Sequence, residues 1–165
     1  MYENNNEFII TRIFDAPRLL LWESWTKTEH LKNWWGSKDF KVGIPRLELR
    51  PGGVFHYNMQ SPDGHISWGK SVYREIVPPE KLVFINSFSD ETGAIIRHPI
   101  SPTWPLEVLN TLIFSEVKGQ TTLIFRGGPI HASELEHKTY HQLEATLRQG
   151  LSGTFDQLEE YLDEI

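Results

Sequence analysis

The chain of 165 residues reads as an α+β domain in which a curved antiparallel sheet of about seven strands wraps a long C-terminal helix. Three observations predict this. Apolar and polar residues alternate between Val42 and Arg126, punctuated by turns. The connections there are too short for parallel crossovers. Apolar residues then recur at helical steps from Leu135 to Leu162, with charged residues on the other face.

The elements follow in order. Residues 1–6 are polar and are expected to form a disordered tail, leaving 7–165 as one domain. Phe8, Ile9, Ile10, Ile13 and Phe14 mark a first strand that stops at Ala16-Pro17. Pro17 suits a first helical turn, with Asp15 or Ala16 at the cap, and Leu19 to Trp25 form a short helix. Thr26-Lys27-Thr28-Glu29 fits a capping box for a second short helix, which ends at Gly36.

Strands and turns come next. Pro51-Gly52 fits a type II turn, and Ser61-Pro62-Asp63-Gly64 a type I turn between Val54–Gln60 and His65–Val77. Pro78-Pro79 ends that strand, and Leu82–Ser89 follows. Leu106–Val117 and Thr121–Arg126 make a hairpin around Lys118-Gly119-Gln120. Asp90 to Pro105, with three prolines, is a long loop, either a functional lid or an insertion at the sheet edge. Ser133 to Glu164 reads as one continuous helix, long enough to run the length of a sheet. Gly150 and Gly153 inside it permit close backbone approach or a kink, or leave room beneath the helix.

Composition narrows the function classes. The formal charge of −6 argues against general nucleic-acid affinity. The absence of cysteine rules out disulfides, thiolate catalysis and Cys-ligated metals. No apolar run approaches the length that spans a bilayer, and MYENNNEF lacks signal-peptide character. A cytoplasmic protein with no membrane association is expected. His137 and His141 are four apart, with His131 upstream, but no HExxH pattern accompanies them and no metal site is expected. Gly-x-Ser-x-Gly is absent, and no catalytic residue or cofactor is assigned.

Several motifs in order resemble a known family. They are Phe14-Asp15-Ala16-Pro17, Leu21 to Thr26, Glu29 to Gly36, Arg50-Pro51-Gly52-Gly53 with Phe55, Glu75 to Phe84, and the terminal Leu158-Glu159-Glu160-Tyr161-Leu162. Together they resemble the START-like (SRPBCC) superfamily, and within it the branch named for the C-terminal domain of the Hsp90 ATPase activator Aha1. The resemblance implies a helix-grip fold with a cavity between sheet and helix. It also implies the range of roles found there: carriers of lipids and hormones, polyketide cyclases, stress-related bacterial proteins, or a chaperone-associated module.

The residues themselves suggest where a cavity lies. On Val54–Gln60 the phase Phe55, Tyr57, Met59 is the more apolar and is placed inward. The same alternation groups Phe84, Asn86 and Phe88, and then Val108, Asn110, Leu112 and Phe114. Asn86 and Asn110 on apolar phases require partners: each other, a water, or a ligand. Trp34 and Trp35 point about 100° apart on a helix, one to the core and the other to a pocket mouth or the surface. Trp68 and Trp104 flank turns where an aromatic could rim an opening. The candidate lining is therefore Trp34, Trp35, Phe55, Tyr57 and Trp68, with Phe84, Asn86, Asn110 and Leu112 from the later strands and Phe155 from the helix. The expected partner is a small lipophilic molecule bound by a monomer or homodimer, without catalysis. A cyclase or dehydratase, or a chaperone partner, is the alternative.

Overall fold

A computed structural model describes residues 7–165, so the tail expected over residues 1–6 lies outside the described residues. The chain runs β1 (Phe8–Phe14), α1 (Arg18–Thr26), α2 (Thr28–Leu31), β2 (Lys41–Leu47), β3 (Val54–Gln60), β4 (Ile66–Val77) and β5 (Lys81–Ser89). It continues through β6 (Val108–Val117), β7 (Gln120–Pro129), α3 (Glu134–Gln142) and α4 (Glu144–Glu164). The strands form one antiparallel sheet in the order β1-β7-β6-β5-β4-β3-β2. This is the α+β helix-grip arrangement.

Short turns set the strand order. Gly52 takes φ 81°, and its neighbour Gly53 closes the turn on the Arg50 carbonyl at 2.7 Å. Lys118 and Gly119 both have positive φ, as a two-residue hairpin loop demands. Register shifts between Gly43 and Arg46 and between Tyr73 and Glu75 interrupt the ladder, and such irregularities bend and twist a strand locally.

Three local expectations are corrected. The helix expected over Ser133 to Glu164 is two helices, broken at Leu143, whose φ −102° and ψ 11° leave the helical range. The second, of 21 residues, is about 32 Å long. Thr26 caps nothing: it ends α1, and its hydroxyl donates to the Trp22 carbonyl at 2.8 Å instead. The capping box occurs elsewhere, between Ser133 and Glu136 at the start of α3. Pro17 stands at the cap of α1 itself, and its carbonyl accepts from Leu20 and Leu21.

Arginines fasten α4 across edge strand β1. Arg12 pairs with Asp156 at 2.9 Å and Glu159 at 3.1 Å, and Arg148 donates to the Ile9 carbonyl at 3.0 Å. Beneath them the core is aromatic. Trp25 lies 4.8 Å from Trp34 and 6.2 Å from Phe155 by ring centroids, and the Trp34 indole donates to the Ser24 carbonyl at 3.0 Å. One end of the grip is thereby packed solid by α1, α2 and the C-terminal half of α4.

Candidate functional site

At the other end the layers part. A cavity of about 470 Å³ lies between the N-terminal half of α4, the turn after α2, and the ends of β3 and β5. Met59 and Phe88 form its floor on the sheet, and Leu147 and Leu151 its wall on α4. Trp35 closes the inner side, while His98 and Trp104 from the long loop close the outer. Gly150 faces it with no atom within 4 Å of where a Cβ would stand, so the missing side chain leaves open space. Exposed Ser37 and Thr146 stand at the rim.

The loop of residues 90–107 is tied down from both ends. Asp90 holds the first turn by accepting from the backbone N–H groups of Thr92 at 2.9 Å and Ala94 at 3.0 Å. These bonds, with the Thr92 hydroxyl first among them, hold its carboxyl below the usual aspartate range. Further along, Arg97 forms an ion pair with Glu136 on α3, and the Thr103 and Thr139 hydroxyls share a hydrogen bond of 2.9 Å. Trp104 packs against Tyr140 of α3 with tilted rings whose centroids are 5.3 Å apart. The loop is thus an ordered wall.

The sequence-predicted residues divide by depth. Trp35 lines the cavity, whereas Trp34 is 1% exposed and belongs to the core. Phe55 and Phe84 border a separate void of only about 10 Å³, which is below what any organic ligand needs. Leu112 and Phe155 are fully buried in the packed core. Tyr57 is buried beside Trp35, and burial pushes its phenol upward in pKa. Trp68 turns to the opposite face of the sheet and stacks on His56 at 4.8 Å, away from α4.

The two asparagines do not pair with each other. The Asn86 amide donates to the Tyr57 hydroxyl at 3.1 Å and to Ser71 Oγ at 3.0 Å, which satisfies it within the core. Asn110 Oδ1 lies over Gly127, where a Cβ would come within 2.5 Å of it. Sequence reasoning passed over Met59, Phe88, His98 and Leu151 as lining residues. Met59 and Phe88 carried a signal, since they end the two phases placed inward; His98 carried none.

Chemically the wall is apolar, and none of its lining residues is Asp, Glu, Lys or Arg. Among the described residues, no group of three His, Cys, Asp or Glu side chains is placed to hold a metal ion. No helix among them is long and apolar enough to cross a membrane.

A bent antiparallel sheet closed on a C-terminal helix, with an apolar space between them, defines a helix-grip protein of the START-like class. The family model described as "Activator of Hsp90 ATPase homolog 1-like protein" matches residues 15–163, and the chain belongs to that family. Among solved structures, a Staphylococcus epidermidis protein shares 26% identity, with 96% of this chain and 90% of that one covered and a TM-score of 0.77. An Arthrobacter aurescens protein shares 23% identity over 98% and 88% of the two chains, with a TM-score of 0.82. A Silicibacter pomeroyi protein titled AHSA1 shares 16% identity over 95% and 97%, with a TM-score of 0.69. No curated protein matches the chain in sequence.

Proposed function

We propose that the protein binds a small hydrophobic or amphipathic molecule, without chemical conversion, in the cavity beneath the first turns of α4. The observation that carries this reading is the cavity itself: about 470 Å³, walled by Trp35, Met59, Phe88, Trp104 and the leucines of α4. That volume falls within the range of small-molecule sites, and apolar walls are what such sites present. Filling it removes apolar surface from water on both partners, at about 25 cal/mol per Å².

Titration with the neutral fluorophore N-phenyl-1-naphthylamine tests the reading. Wild-type protein should enhance its emission with one saturable site. Gly150→Phe, which inserts a ring into the cavity, should weaken that site at least about tenfold while the circular dichroism spectrum is kept. Unsaturable binding, or equal binding by Gly150→Phe, would rule it out.

The family description raises a chaperone-associated role as the second reading. Capture of Hsp90 by the purified protein, with a change in ATPase turnover, would favour it. A cyclase-like reading needs a free base on the wall. His98 is the one imidazole among the lining residues, and its Nδ1 already accepts two backbone N–H groups.

A further inference from the structure

The His98 ring is held in a way that fixes what it can offer. Its Nδ1 accepts from the backbone N–H of Ile100 and of Ser101, both at 3.0 Å. Backbone N–H groups can only donate, so the neutral ring must carry its proton on Nε2. The ring is half-buried, packs edge-on against Phe88 at 4.6 Å, and lines the cavity. Among the described residues Nε2 has no protein partner.

Two other polar lining groups are not available to a ligand in the same way. Trp35 also lines the cavity, but its indole N–H is shielded from that space and lies toward the Tyr57 phenol. The hydroxyl proton of Thr154, a third polar lining residue, is already used on the carbonyls of Gly36 and Gly150 at 3.3 and 3.2 Å. His98 Nε2–H is therefore an unclaimed donor of the wall, and no Asp, Glu, Lys or Arg lines the cavity beside it. An anion would be buried without a cation, and a cation without an acceptor.

We infer that the ligand is a neutral apolar molecule bearing a hydrogen-bond acceptor oxygen, of the carbonyl or ether kind, which His98 Nε2–H engages. This rests on the cavity-binding reading and adds the polar half of recognition to it. A hydrocarbon of the same shape would leave that donor unpaired.

Benzophenone and diphenylmethane differ only in a carbonyl against a methylene, and quenching of tryptophan emission gives the affinity of each. His98→Asn is the informative variant: its Oδ1 can stand where Nδ1 stands and keep the loop's two N–H bonds, but it has no donor at the Nε2 position. The expected result is that His98→Asn weakens benzophenone by about three- to tenfold, the worth of one hydrogen bond to a buried acceptor, and leaves diphenylmethane unchanged. Equal weakening of both probes would mean that His98 only shapes the cavity, and the inference is overturned. Unchanged benzophenone binding overturns it as well, with the cavity reading intact. If wild-type protein binds neither probe nor N-phenyl-1-naphthylamine, the cavity reading fails and takes the inference with it.

Discussion

Single residues decide where space exists. Gly150 and Gly153 both sit in α4, and neither has an atom within 4 Å of its absent Cβ, so close backbone approach is not their reason. Only Gly150 lines the cavity. Gly150→Ala should raise stability by about 0.5–1 kcal/mol in urea unfolding, because alanine loses less backbone entropy in a helix. Gly69 behaves oppositely: a Cβ there would overlap the Tyr57 phenol across the β3–β4 pair. Gly69→Ala should cost about 1–3 kcal/mol by the same measurement, as overpacking does. Alternation in the sequence identified the inward faces of β3 and β5 but carried no information on depth. Phe55 and Phe84 share those faces with Met59 and Phe88, yet the first pair lies where the helices close and the second where they part.

Among the elements, the loop and α3 form one unit. Glu136 accepts from Arg97 and from the Ser133 backbone, and these bonds, the Arg97 one first, hold its carboxyl below the ordinary glutamate range. A depressed carboxyl stabilises the fold above its unfolded pKa, and that contribution is lost as pH falls through the folded value, here below 4.5. The protection of the Trp104 amide, which donates to the Ser101 carbonyl, should therefore fall in wild type between pH 5 and 3 once exchange is corrected for the intrinsic rate at each pH. Glu136→Gln should already exchange faster at pH 6 and show a smaller acid step. The factor should be modest, about two- to fivefold, because Arg97 is half exposed. An identical acid response in both proteins would remove Glu136 from the latch. The Ser133-x-x-Glu136 cap was readable from spacing, but its distant partner Arg97 was not. Nor was the break at Leu143, since leucine preserves the helical period and no proline or glycine marks the site.

Over the whole molecule, the seven strands and the gripping helix were legible because each depends on local period, turn chemistry and short connections. The cavity was not, because it depends on how far a loop without periodicity folds back over the open end of the sheet. Its position predicts an asymmetric response to ligand: Trp35 and Trp104 line it, Trp22 packs on Phe114 within the core, and Trp68 faces the other side of the sheet. The six tryptophans supply six indole N–H signals in a nitrogen–proton correlation spectrum. Saturation with diphenylmethane should shift those of Trp35 and Trp104 and leave Trp22 and Trp68 in place. Shifts confined to Trp68, or none at all, would contradict a ligand space between α4 and the sheet.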